Sequence, residues 1–115
     1  MVIDAISVEV TVSPPADGFE EHATASLGLL QAAADPIRWV VLQRLAARSA
    51  CVCDLQEHIP IAANLLSYHL KVLREAGLVT TSRRGRWVDY ALAEDAMERL
   101  RGALPGATSV EPVGP

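Results

Sequence analysis

Pro60 and Gly77 confine a leucine-striped helix to a narrow window, and that window constrains everything around it. Proline pushes the residue before it out of helical conformation, so a short helix over about residues 52–58 has to stop ahead of Pro60. Leu66, Leu70 and Leu73 then recur at i, i+4 and i+7, an apolar stripe on a second helix over about residues 62–76. Gly77 supplies the stop signal for it. Two β-prone runs follow, 78–82 and 87–92, joined by Arg83-Arg84-Gly85-Arg86, which predicts a hairpin with a basic tip. Upstream, Asp35-Pro36 sets an N-cap residue before a proline at the first helical position. The helix it opens places Ile37, Val40, Val41 and Leu45 on one face and ends near Arg48. Residues 19–34 are Ala/Leu-rich, with Ala23, Leu27 and Leu30 at helical spacing. Residues 93–104 put Met97, Leu100 and Leu104 on one side of a last helix.

Two helices separated by a turn of about three or four residues, then a hairpin, have the order of a winged helix–turn–helix. The expected fold is mainly α with a β-hairpin wing, over residues 19–104. Residues 1–18 read as a flexible tail that ends in Ser13-Pro14-Pro15-Ala16-Asp17-Gly18, a run of turn formers. Within it Val8, Val10 and Val12 alternate with Glu9 and Thr11 at strand-like period. Residues 105–115 are rich in Pro and Gly and are expected to be disordered. A chain of 115 residues buries only about two thirds of its unfolded surface, so a second copy covering apolar surface is expected.

The net charge of −4 argues against nucleic acid, but its distribution does not. Residues 1–34 hold five acids and no Lys or Arg, whereas residues 35–90 carry eight bases against five acids. Residues 91–115 return to four acids against two arginines. Nucleic acid responds to the field of the docking surface and not to the sum over the chain. Two cysteines are too few for a secreted disulfide scaffold and point to a reducing compartment. No stretch reaches the roughly 18 apolar residues of a membrane span. Met1-Val2-Ile3-Asp4 lacks the basic start of a signal peptide. The expected location is the cytoplasm.

On the second helix Asn64, Ser67, Tyr68, Lys71 and Arg74 gather opposite the leucine stripe. Asn, Ser and Tyr hydrogen-bond base edges or phosphates, and the two cations suit the backbone. The N-terminal half of such a helix enters the major groove, which favours Asn64, Ser67 and Tyr68 for base contacts. An ordinary solvated helix face has the same pattern, so this helix alone decides nothing. The hairpin tip shifts the balance: Arg83, Arg84 and Arg86 flank Gly85, with no acid until Asp89. Three guanidiniums in a tight turn repel one another unless phosphates or a narrow minor groove lie nearby.

The motifs Ala34-Asp35-Pro36-Ile37-Arg38, Cys51-Val52-Cys53-Asp54-Leu55, Leu66-Ser67-Tyr68-His69-Leu70, Leu73-Arg74-Glu75-Ala76-Gly77-Leu78-Val79 and Gly85-Arg86-Trp87-Val88-Asp89-Tyr90-Ala91-Leu92 follow one another in order. In this they resemble the ArsR/SmtB family of winged-helix, metal-responsive transcriptional regulators, over about residues 27–104. The resemblance implies a homodimer whose first and last helices pack against the partner, a pseudo-palindromic double-stranded operator, and metal binding that changes DNA affinity, with repression the family default and activation the alternative. His69 borders the leucine stripe, so a satisfied, partly buried histidine is expected there ahead of a direct DNA contact. The turn before the second helix holds Ile61-Ala62-Ala63 where the family usually has a capping Ser or Thr. Unless Asn64 substitutes, a cap worth about 1 kcal/mol is missing.

Cys51 and Cys53 match the two thiols of the family's thiolate sensors. Within a regular helix, residues i and i+2 point about 200° apart, so both sulfurs reach one ion only if that end is unwound. Family members that hold arsenite with three thiolates carry a further Cys where this chain has Gln56. The family's other site, on the last helix, needs carboxylates and histidine; here Glu94, Asp95 and Glu98 stand without one. His22 is the remaining candidate ligand, and a Cys/His set suits nickel or zinc better than arsenite. Two small thiols that bind no metal are the plainer alternative, with control by thiol oxidation or a protein partner. Catalysis is not expected. Cys53 and His58 do not face each other on a short helix, and no phosphate loop or metalloprotease motif is present.

Overall fold

The computed structural model describes residues 19–106. The alternation at residues 8–12, and both expected tails apart from Pro105 and Gly106, lie outside them. The elements are α1 (Phe19–Ala33), α2 (Pro36–Ala47), α3 (Val52–Gln56), α4 (Ala63–Glu75), β1 (Val79–Arg84), β2 (Trp87–Leu92) and α5 (Ala96–Ala103). This is the mainly helical winged architecture expected.

Local chemistry explains most of these boundaries. The Asp35 carboxylate accepts hydrogen bonds from the Ile37 and Arg38 amides at 2.9 and 3.1 Å, and Pro36 begins the helix. Two otherwise unpaired N–H groups are thereby satisfied. At the far end of α4, Gly77 takes φ 79°. The Leu78 amide donates to the Leu73 carbonyl at 3.0 Å and the Gly77 amide to Arg74 at 2.9 Å. That is a Schellman motif, and its two flanking leucines, Leu73 and Leu78, are both fully buried.

Strand β1 runs through Arg84, which pairs with Trp87. The basic tip is therefore the two-residue turn Gly85-Arg86 and not the four residues read from the sequence. Gly85 at φ 64° suits the mirror-image turns whose twist matches the strands they join. Ala50 adds one bridge to the other edge of β2, exchanging both backbone bonds with Tyr90 at 3.0 and 2.8 Å. Helix α5 begins at Ala96 and not at Ala93, because the Ala93 amide donates to Leu78 O at 2.9 Å and prolongs the ladder.

One core joins the layers. Val41, Leu42 and Leu45 of α2 meet Leu66, Leu70 and Leu73 of α4, with Leu55, Ile59, Leu78, Val79 and Ala96 around them. Val40, expected on the core face of α2, is exposed beside Trp39, and Leu42 takes its place inside. Ala23 and Leu27 of α1 are exposed as well. Their helical spacing is real, but the surface they make faces away from this core.

Candidate nucleic-acid interface

The buried stripe of α4 leaves its opposite side to solvent. There Asn64, Ser67, Lys71 and Arg74 are exposed, and Tyr68 is 55% exposed. Leu65 stands among them at 44% exposure. The sequence reading passed over it, yet a signal existed: Leu65 and Leu66 are adjacent, and neighbouring helical residues point about 100° apart. Only one of the two can join the core stripe. An apolar side chain on this face is suited to the thymine methyl group.

No side chain caps the start of α4. Ala62 is the N-cap, and Asn64 lies inside the helix. The turn is held instead by Gln56, whose Nε2 donates to the Ile61 carbonyl at 3.0 Å.

His69 is 8% exposed and turned inward. Its Nδ1 lies 2.9 Å from Arg38 Nη1 and 3.9 Å from Asp35 Oδ2. A guanidinium only donates, so in the neutral ring Nδ1 accepts and Nε2 carries the proton. The Tyr68 ring meets the imidazole edge-on at 5.2 Å between centroids. The Asp35 carboxyl is held below its ordinary 3.8 chiefly by the Arg38 amide; partial burial opposes this, and the Ile37 amide, His69 and the Arg38 charge assist.

On the wing the three arginines divide. Arg84 forks onto Asp89 of the neighbouring strand, Nε to Oδ2 at 2.7 Å and Nη2 to Oδ1 at 2.9 Å. That hydrogen-bonded pair lowers the Asp89 carboxyl and raises the Arg84 guanidinium. Cys51 and Asp54 also lie within electrostatic reach of Arg84. Reading Asp89 as merely the next acid along the chain missed this pairing. Strand register brings it diagonally opposite Arg84. Among the described residues, no carboxylate pairs with Arg83 or Arg86. Lys71 keeps a loose, exposed contact with Glu75 at 4.0 Å, of little energetic consequence.

The sequence-predicted metal ligands do not converge. Cys51 is the N-cap of α3 with extended backbone, φ −92° and ψ 174°, so the regular-helix objection to the pair falls away. Its amide donates to Asp54 Oδ2 at 3.2 Å. Cys51 is nevertheless buried and Cys53 exposed. His22 lies on α1 near Leu29, Arg99 and Gly102, and the Nδ1 of His58 accepts from Arg44 at 2.8 Å. Among the described residues no three His, Cys, Asp or Glu side chains are grouped to hold an ion. The described part of one chain does not fit a nickel or zinc ion, which asks for three or four such donors.

Away from this surface, α1, α2 and α5 border an open apolar groove of about 430 Å³. Leu30, Trp39, Leu42, Met97, Leu100 and Leu104 line it, and Trp39 is 54% exposed. The apolar face predicted for the last helix is thus real, but the described residues of one chain leave it uncovered. Among the described residues, no helix is long and apolar enough to cross a membrane.

Residues 35–81 match the family model described as bacterial regulatory protein, arsR family. The chain is 39% identical over 90 residues to the biofilm growth-associated repressor of Agrobacterium fabrum, covering 78% of this chain and 77% of that one. It is 37% identical over 97 residues to the HTH-type transcriptional repressor SmtB of Mycobacterium tuberculosis, covering 75% and 72% respectively. The crystal structure of NolR from Sinorhizobium fredii superposes with a TM-score of 0.69 at 29% identity, over 80% of this chain and 92% of that one.

Proposed function

Because the chain belongs to the arsR family of bacterial regulatory proteins, we propose that it is a homodimeric repressor of transcription that binds a pseudo-palindromic double-stranded operator. The observation that carries this reading is the outer face of α4. Asn64, Ser67 and Tyr68 stand exposed on the N-terminal half of a helix whose inner leucines are fully buried. In a helix–turn–helix that half meets base edges, and Lys71 and Arg74 further along meet phosphates. Arg83 and Arg86 bring positive charge from the wing to the flanking backbone or minor groove. Arg84, held by Asp89, contributes less. The open groove on α1, α2 and α5 supports a second copy as its cover, since exposed apolar surface of this kind marks an interface.

The test is fluorescence anisotropy of the purified dimer on the DNA upstream of its own coding region. Specific binding is expected, with Asn64→Ala and Tyr68→Ala each losing about 1–3 kcal/mol on the specific site. Arg83→Ala with Arg86→Ala should weaken all sequences alike and, with two wings in the dimer, lower the salt slope by up to about four. A salt slope unaffected by the wing variants overturns the wing's role. Equal affinity for specific and random duplexes overturns operator binding.

The signal is read at the thiols. Metal control is the family's usual pattern, and through Cys51, Cys53 and His22 it requires donors from a second chain or from residues outside 19–106. Thiol oxidation is the second reading, favoured by the exposure of Cys53. Titrating reduced protein on DNA with nickel, zinc or hydrogen peroxide separates the two. A metal shift abolished by Cys51→Ser or Cys53→Ser supports the first reading. A peroxide response lost only in Cys53→Ser supports the second.

A further inference from the structure

Two arginines outside the DNA-facing surface grip backbone carbonyls at helix ends, and each ties another helix to α4. Arg38, in the first turn of α2, donates from Nε to Ala32 O at 2.6 Å and from Nη2 to Gln31 O at 3.4 Å. Its Nη1 reaches His69 on the inner side of α4 at 2.9 Å. One planar guanidinium thereby binds the last turn of α1 to the middle of α4. Arg99, on α5, donates from Nη1 to Gly77 O at 2.7 Å and from Nη2 to Ala76 O at 3.1 Å. These carbonyls lie just past the end of α4, where a cation also meets the negative end of the helix dipole. Gly77 makes the approach possible, since a Cβ there would lie 2.9 Å from Arg99 Nη1.

We infer that Arg38 and Arg99 are positioning residues that transmit the setting of α1 and α5 to α4. The inference rests on the dimeric, operator-binding reading above, in which α1 and α5 contribute to the subunit contact. Leucine packing is non-directional and tolerates small slides and rotations of one helix on another. A fork of hydrogen bonds from a rigid guanidinium does not, and it loses strength steeply with misalignment. The leucine stripe keeps α4 in the fold, and the two arginines set its inclination to the dimer axis. In a dimer that reads two half-sites, that inclination appears as a preference for one half-site separation.

The test maps the operator by footprinting and then measures anisotropy on three duplexes: native spacing, and spacing with one base pair inserted or removed at the centre. Each change rotates one half-site by about a tenth of a turn. Wild type is expected to prefer native spacing by about tenfold or more. In Arg99→Gln and Arg38→Gln, checked as folded dimers by circular dichroism and ultracentrifugation, the preference should fall to about threefold or less. Arg99→Lys keeps the charge without the fork and should fall between them. It also serves if the glutamine variants do not fold, and a wild-type preference in the lysine variant overturns the role of Arg99's fork. Folded glutamine variants that keep the full spacing preference overturn the inference alone. A wild-type dimer indifferent to spacing overturns the operator reading beneath it, and the inference with it.

Discussion

Helices α2 and α4 begin in opposite ways. At α2 the Asp35 carboxylate takes two backbone amides and Pro36 is fixed at the first position, so the helix starts rigidly. At α4 the capping position is Ala62, with no acceptor to offer. The other end of α4 is closed by the Schellman turn and by Arg99. Stability along α4 is thus expected to fall from its C-terminus toward its N-terminus, the end proposed to meet base edges. Regions that bind partners are drawn from the low-stability end of a structure, and the proposed interface applies that rule within a single helix.

The largest effect is expected where the firm end is broken. Gly77→Ala forces an L-residue into φ 79° and displaces Arg99. At fixed protomer concentration, urea unfolding should show a loss of about 2 kcal/mol. A loss below about 0.5 kcal/mol would mean that the turn relaxes and that this end is not firm.

Asp35→Ala should cost about 1–2 kcal/mol by the same measurement, since it removes the cap of α2. Its carboxyl titrates lower in the folded chain, so the unfolded chain takes up the proton first as pH falls. The stabilisation is therefore complete above the ordinary value of 3.8 and is lost as pH falls through the lower folded value. The acid limb of wild-type stability should be steeper than that of Asp35→Asn. Parallel limbs would remove Asp35 from the account.

Giving α4 the cap it lacks reverses the sign. Ala62→Ser should gain about 0.5–1 kcal/mol and slow hydrogen exchange at residues 62–66, which in wild type should exchange faster than residues 70–73. If those two segments already exchange alike, the contrast between the ends disappears. Last, Asp89→Asn should lower the unfolding midpoint only slightly, because the Arg84 side of the pair is open to solvent although the Asp89 carboxylate is mostly covered. It should steepen the salt dependence of DNA binding by up to about two units as the Arg84 of each protomer is freed. An unchanged slope would show that Arg84 does not reach the phosphates even when free.

The family motifs were legible along the chain because most of them are local. Asp35-Pro36 acts on amides two and three residues away, and Gly77 on the carbonyls of the turn before it. The hairpin was legible for the same reason, although its turn proved to be Gly85-Arg86 alone. Leu65 was readable too, from the leucine doublet, but a leucine in a helix is easily counted as core. The thiols gave chemistry without geometry. Their spacing was plain, and their unequal burial depends on what packs over α3.

What local signals set, then, was where each helix and strand begins and ends, because backbone hydrogen bonds and φ preferences act within about four residues. Tertiary packing decided which charges remain available. Arg84 is matched by register to Asp89 across the hairpin, and Arg38 finds His69 at a separation of 31 residues. Arg99 finds the end of α4 at separations of 22 and 23. A guanidinium binds whichever carbonyl, ring nitrogen or carboxylate the fold brings within about 3 Å. In the sequence Arg84 read as free positive charge and the other two entered the charge count, and only the packing of α1, α5 and the wing around α4 assigns them their partners.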